Sequence, residues 1–337
     1  MPSPQPKAAA DLTGNQQQPK AALPGLEPGQ IQPRVAILLC TYHGQSYLSD
    51  QLESIAAQTH LNWQVWASDD GSKDNTHDIL EAYQRAWGDS RLCIRKGPAE
   101  GFAINFMSLA CKADIEADYY AYSDQDDIWA PDKLERAVNW LRGVPSAIPA
   151  VYCSRTEIVD ADNHSMGFSP LFSRPPGFAN ALIQNIGGGN TMVFNKAARQ
   201  LLIETSNSID DVPHDWWTYM VVSGCGGRVF YDPIPSLRYR QHGNNLVGTN
   251  SSWAAQRKRI KMLWHGRFRN WNDRNVRALR KMYAQLTPAN QAILDQFATA
   301  RNSWLIPRLI GLKRSGIYRQ TLLGNLGLIA AALLKKM

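Results

Sequence analysis

The sequence predicts an α/β protein whose central sheet is mostly parallel and flanked by helices. Three observations predict it. Val35-Ala36-Ile37-Leu38-Leu39-Cys40 is an apolar run without alternation, as a strand buried on both faces of a parallel sheet requires. Segments of helical periodicity then alternate with further short apolar runs. Finally, successive strands close on polar loops, and open α/β sheets bind their ligands at the carboxyl ends of strands.

Taken in order, residues 1–33 are rich in Pro, Gln, Ala and Gly, with too little apolar surface to offset chain entropy, so disorder is expected there. Residues 1–30 also lack an apolar core of signal-peptide length. After the first strand, Thr41-Tyr42-His43-Gly44 forms a loop, and Leu48, Leu52, Ile55 and Thr59 mark a helix. Trp63–Ser68 reads as the second strand, ending on Asp69-Asp70-Gly71-Ser72. Asp74 is the expected cap of the next helix, which carries Ile79, Leu80, Tyr83 and Trp87. A third strand, Leu92–Arg95, leads through Gly97 and Gly101 to a helix with Phe102, Phe106 and Leu109. Phe106 and Met107 read as core.

Tyr119-Tyr120-Ala121-Tyr122 is the next strand, and it runs into Ser123-Asp124-Gln125-Asp126-Asp127-Ile128-Trp129. Crowded carboxylates repel one another, so this cluster calls for a counter-charge, and a hard divalent cation shared with phosphate oxygens supplies one. The alternative is an acidic turn ahead of a helix that starts at Pro131 and buries Leu134, Val138 and Leu141. No basic residue precedes Lys133 in this stretch. Ala150–Cys153, Thr191–Phe194, Arg228–Tyr231 and Leu237–His242 read as further strands, with residues 160–185 a Pro-containing loop. Gly187-Gly188-Gly189 stands before a strand rather than between strand and helix, which suits close backbone approach and not a dinucleotide fingerprint. Asp215 opens a helix after Pro213, and Trp216 and Trp217 beside it are bulky enough to wall off water and present an apolar face. His43, His60 and His164 read as surface or loop positions. Beyond Ser251 the chain is helical and basic, with Leu322, Leu326, Ile329 and Leu333 on one helical face.

The chain has 337 residues, 36 Lys and Arg against 29 Asp and Glu, and a net charge of +7. The cationic excess lies after Trp253, away from the acidic motifs, which favours an anionic substrate or a membrane surface over nucleic acid. The eleven Trp are not interleaved along a basic stripe, which argues the same way. Five scattered cysteines without a Cys-x-x-Cys pair read as reduced thiols, and the expected location is cytoplasmic.

Together, Leu39-Cys40-Thr41-Tyr42, Asp69-Asp70-Gly71-Ser72, Ser123–Trp129, His214-Asp215-Trp216-Trp217 and Arg240-Gln241-His242-Gly243-Asn244-Asn245 resemble the motifs of a family 2 glycosyltransferase, in order and spacing. The branch most similar is the rhamnosyltransferase-like one of bacterial surface-polysaccharide synthesis. The resemblance implies a GT-A fold over 34–250, with a nucleotide-binding half (34–130), an acceptor half (131–250) and a helical basic extension (251–337). It implies that Thr41, Tyr42, Asp69, Asp70 and Asp124 bind the nucleotide, with Asp70, or alternatively Asp69, on the base. Asp126 and His242 would hold Mg²⁺ or Mn²⁺, Asp127 and Trp216 would assist, and Asp215 would be the general base, with Trp216 and Trp217 facing a sugar ring. His214 replaces the acid often found before that base.

The implied activity is inverting transfer from a nucleotide sugar, dTDP-rhamnose before a UDP-hexose, to a saccharide or polyprenyl-linked acceptor. A non-catalytic nucleotide-sugar-binding protein is the competing class, against which the intact Asp124, Asp126, Asp215 and His242 argue. Short of the length that spans a bilayer, about 20 residues, the C-terminal apolar stripe suits a helix lying on an anionic membrane at the inner face of the cell, or one packed on the domain.

Overall fold

The computed structural model describes residues 32–208, 212–242 and 267–337. Nearly all of the expected disordered tail, Asp210 and Asp211, and the Gly243-Asn244-Asn245 loop lie outside them. Order begins slightly before the expected boundary. Gln32 accepts hydrogen bonds from the Leu61 and Asn62 backbone, and the His60 Nε2 lies 2.8 Å from the Pro33 carbonyl. His60 is therefore buried, not at the surface, and burial lowers its pKa.

The expected apolar runs form a seven-stranded sheet. From one edge, its strands are β10 (Arg228–Asp232), β6 (Ala150–Ser154), β9 (Val193–Asn195), β4 (Tyr119–Ser123), β1 (Val35–Thr41), β2 (Trp63–Asp69) and β3 (Leu92–Lys96). All neighbours run parallel except β9, which is antiparallel to both β4 and β6. The unbroken apolar character of β1 follows from its position. Val35, Ile37 and Leu39 face one core while Ala36, Leu38 and Cys40 face the other, so both faces must be apolar. The register pairs Thr41 with Asp69 and Leu39 with Ser123, so β1, β2 and β4 end together at one edge. That shared edge sets out the polar loops side by side.

A four-stranded sheet of much shorter strands was not foreseen. In it β5 (Ile128–Trp129), β11 (Leu237–Arg240), β7 (Glu157–Val159) and β8 (Ser165–Phe168) are neighbours. The expected 160–185 loop thus begins with a hairpin, whose turn is closed by Asp160 accepting the amides of Asp162 and His164. The short β5 has a positional consequence. Leaving the acidic cluster, it pairs with β11, Trp129 opposite Leu237, and so brings a segment more than a hundred residues away to the cluster.

Several helix boundaries differ from expectation. Pro131 precedes α4 (Lys133–Arg142), whose N-cap is Asp132. Thr59 lies beyond α1 (Leu48–Ala56) and is exposed. Asn75 occupies the N-cap position of α2 (Thr76–Trp87) without a side-chain bond, and it is Asp74, one residue further out, that accepts from Thr76 N at 3.1 Å. Phe106 and Met107 are buried, in α3 (Phe102–Ala110).

The helix α7 (His214–Gly224) is the centre of one core, with ten of its eleven residues buried. A helix apolar on all sides belongs inside a protein. Trp217 is its largest side chain and is fully buried. Trp217→Ala is expected to cost about 3–5 kcal/mol by cavity formation. Urea unfolding checks this; a loss below about 1 kcal/mol would mean the site collapses and is not close-packed. The C-terminal helices join the same core through Ala278, Leu279, Leu294, Phe297, Leu328 and Ala331.

Candidate active site

The carboxyl edge of β1, β2 and β4 gathers the acidic groups. Asp124 follows β4 and is partly exposed, yet its pKa is pushed up to about 7, by loss of water first and then by the charges of Asp126 and Asp215. Burial raises the pKa of Cys40, near the end of β1, and the charges of Asp124 and Asp70 add to it. Asp124, Asp126 and Asp215 therefore share one electrostatic neighbourhood, although ninety residues separate the first from the last.

Asp126 is reached through the β5–β11 pairing. The His242 Nε2 lies 2.7 Å from Asp126 Oδ2, and the His242 ring packs on Tyr47 at 4.8 Å. Arg240, buried beside it, donates to the Asp126 carbonyl at 3.3 Å and to Asp50 at 2.7 Å, locking the strand end in place. The pair of residues assigned to a cation, 116 positions apart in the chain, is thus brought into contact.

Asp127 points the other way. It is fully buried, accepting from Asn190 Nδ2 at 2.6 Å, while its other oxygen has no hydrogen-bond partner among the described residues. Lys133 is buried beneath it, bonded to the Asn190 carbonyl and 4.1 Å above the Trp129 ring. Burial raises the Asp127 pKa and lowers that of Lys133, while each attracts the other's charge. Part of the counter-charge that the acidic cluster demands is therefore internal. Asp127 holds the loop from below and is not a ligand at its surface.

The nucleotide-side residues are organised by hydrogen bonds within the loops. Asp69 accepts from Thr41 Oγ1 at 2.9 Å, Ser72 Oγ at 2.5 Å and Ser72 N at 2.9 Å, so it and Thr41 shape the turn after β2. Asp70 accepts the amides of Ala99 and Gly101 at 2.7 and 2.9 Å and anchors the loop after β3. Tyr42 leaves its ring 56% exposed at the mouth, while Gln125 pairs with both polar groups of its backbone, at 2.8 and 2.9 Å.

Asp215 lies in the first turn of α7, where the helix dipole favours a carboxylate. It is partly exposed and accepts from Trp216 N at 2.7 Å, Asn185 Nδ2 at 2.8 Å and the Gly189 amide. Desolvation outweighs these donors and raises its pKa to about 6. Ahead of it, His214 is buried, stacked on Phe106 at 4.0 Å and edge-on to Tyr122 at 4.8 Å, with neither ring nitrogen hydrogen-bonded among the described residues. Burial lowers its pKa to about 3, so it is a neutral aromatic plate, where a second carboxylate would stand unpaired in an apolar pocket. Gly189 makes room for it: a Cβ there would lie 2.3 Å from His214 Nε2.

Trp216 corrects the expectation of a sugar-facing wall. It is buried, with its indole N–H donated to the Ala181 carbonyl at 2.7 Å, because α7 is enclosed on all sides. Phe102, 43% exposed and edge-on to His214, is an exposed aromatic beside it. Gln125, Lys133, Asn185 and Asn190 went unrecognised in the sequence. The only signal for them was adjacency to a motif or to the glycine run.

A parallel sheet ending in clustered acidic loops, with a late histidine folded back onto them, defines a GT-A glycosyltransferase. The glycosyl transferase family 2 model matches residues 36–204, and the chain belongs to that family. It is similar to the dTDP-rhamnosyl transferase RfbG of Shigella flexneri, 31% identical over 238 residues that cover 67% of this chain and 78% of that one. An uncharacterized glycosyltransferase of Rickettsia typhi is 30% identical over 42% of each chain. Among solved structures, S. aureus TarS residues 1–349 in complex with UDP-GlcNAc share the fold, with a TM-score of 0.50 at 14% identity, over 85% of this chain and 93% of that one.

Proposed function

We propose that this glycosyltransferase moves a sugar from a nucleotide-sugar donor, dTDP-rhamnose, to a saccharide acceptor carried on a polyprenyl lipid, with inversion, in surface-polysaccharide synthesis at the cytoplasmic face of the membrane. The observation that carries the chemistry is the gathering of Asp124, Asp126 and Asp215 at one sheet edge, with the pKa of Asp215 raised to about 6. The rhamnosyl donor is supported by the similarity to RfbG.

Asp126 and His242 in contact, with the Asp124 carboxylate beside them, fit a divalent cation such as Mg²⁺ or Mn²⁺: the set is oxygen-rich with one imidazole. When bound, such an ion neutralises charge developing on a departing diphosphate. Lys133 holds the loop beneath by binding Asn190, and Arg240 fixes the Asp126 backbone. Thr41, Tyr42 and the loops tied by Asp69 and Asp70 flank the nucleotide. Asp215 takes the proton from the acceptor hydroxyl as it attacks the anomeric carbon; a pKa near 6 leaves it ionised at neutral pH and basic enough to accept that proton. With one base and no carboxylate assigned as nucleophile, single displacement follows, hence inversion.

Turnover measured across nucleotide sugars tests the donor. dTDP-rhamnose is expected to be consumed at least tenfold faster than UDP-hexoses. A reversed ranking would reassign the donor to a UDP-hexose, and nucleotide binding without any turnover would favour the non-catalytic class.

A further inference from the structure

The last helix, Leu322–Leu333, is built inside out. Its buried side is Leu328, Ala331 and Ala332, while Leu322, Leu326, Ile329 and Leu333 are 79, 55, 52 and 51% exposed. The preceding helix, Leu305–Arg314, repeats the pattern: Ile306 and Ile310 are exposed, Arg308 and Leu312 are buried, and Trp304 just before it is 87% exposed. Soluble monomers rarely leave so many large side chains together in water.

Looseness does not explain this orientation, because buried guanidiniums hold it. Arg308 donates to the Ala332 and Ser303 carbonyls at 2.7 Å each, and Arg301 donates to Met337 O at 3.0 Å and to Asp273 at 2.7 Å. The turn between the helices is fastened as well. Gln320 N donates to Gln184 Oε1 at 2.9 Å and Asn180 Nδ2 to the Tyr318 carbonyl at 2.9 Å. One residue beyond Gln184, Asn185 donates to Asp215. The exposed face is therefore joined by a short run of hydrogen bonds to the acceptor side of the site.

Charge identifies what covers it. The last 42 residues hold seven Lys and Arg and no Asp or Glu. Arg301 and Arg308 are buried within the helices, whereas Lys313, Arg314 and Lys335 are exposed around the apolar face. A second copy of this chain seated on the same face would set these cations against their own equivalents. An anionic lipid surface complements them while its interface takes the leucines. Among the described residues no helix is long and apolar enough to cross a membrane, so the pair lies on the bilayer.

We infer that helices 305–314 and 322–333 seat this enzyme on an anionic phospholipid surface. The inference rests on the proposed function only for the location of the acceptor; binding to lipid stands apart from it. Flotation of the full chain with phosphatidylglycerol or phosphatidylcholine vesicles tests it, alongside the double variant Leu326→Asp/Ile329→Asp. Wild type is expected to float with phosphatidylglycerol at least tenfold more than with phosphatidylcholine, less so at high salt. The variant should lose that binding while keeping transfer to a water-soluble acceptor, since both side chains are exposed and lie outside the hydrogen bonds that fasten the helices. Equal flotation of wild type and variant would overturn the inference, as would a wild type that ignores phosphatidylglycerol vesicles. Sedimentation showing a dimer that the same variant dissociates would assign the face to a second copy instead.

Discussion

Asp215→Asn is expected to reduce sugar transfer by on the order of 10²–10⁴-fold, the usual contribution of a general base, with donor affinity and folding nearly unchanged. The substitution has two opposing effects on stability. Asn185 Nδ2 donates to the carboxylate, and its own Oδ1 is held by Ile186 N at 2.9 Å, so it cannot simply turn over to meet a new amide. A donor facing a donor costs about 1–3 kcal/mol. Against this, the variant no longer keeps an ionised group in a site that raises its pKa to about 6. The two offset each other in sign, and melting should stay close to native. The same residue sets the pH dependence. Its active form is the carboxylate, so kcat/KM should be flat above about pH 6 and fall tenfold per unit below it. Transfer within a few fold of wild type in the variant would reduce Asp215 to a group that orders Asn185 and the start of α7.

How far the sequence could be read depended on the length of each signal. The long apolar runs of the parallel sheet, and hence the edge where ligands gather, were plain because both faces of β1 are buried. The second sheet was not, because strands of two to four residues such as Ile128–Trp129 and Ser165–Phe168 are too short for alternation to show. Within the acidic cluster, composition indicated that a counter-charge was needed but not that Lys133 supplies part of it. Which of three nearby aspartates turns inward is decided by the backbone bend into β5, a tertiary property. Trp216 was misread for a similar reason: beside a candidate base a bulky aromatic suggests a wall, but a helix enclosed on every side points it into the core. The stripe on the last helix was legible as a face, though only packing shows that the leucines are its outer side.

Asp126→Asn is expected to abolish the divalent-cation dependence of nucleotide binding while leaving the fold intact. Of the three clustered carboxylates, Asp127 is committed below the loop to Asn190, and the pKa of Asp124 is raised by burial and by its neighbours. Asp126 is partly exposed, and among the described residues it alone of the three meets a second ligating group, His242 Nε2 at 2.7 Å. An asparagine can keep that contact, since its Oδ1 still accepts from a protonated Nε2, so the site's shape survives while its negative charge is lost. A bound cation is worth several kcal/mol toward a diphosphate, and 1.4 kcal/mol is tenfold in affinity. In calorimetry with dTDP and Mn²⁺, the loss should reach on the order of 10²-fold and match that caused by EDTA in wild type. His242→Ala in the same titration separates the two partners: a smaller loss that still responds to Mn²⁺ is expected if histidine supplements the carboxylate. Wild-type affinity unchanged by EDTA would remove the cation from the site altogether, and the Asp126–His242 contact would then be a hydrogen bond that fastens β11 to the acidic loop.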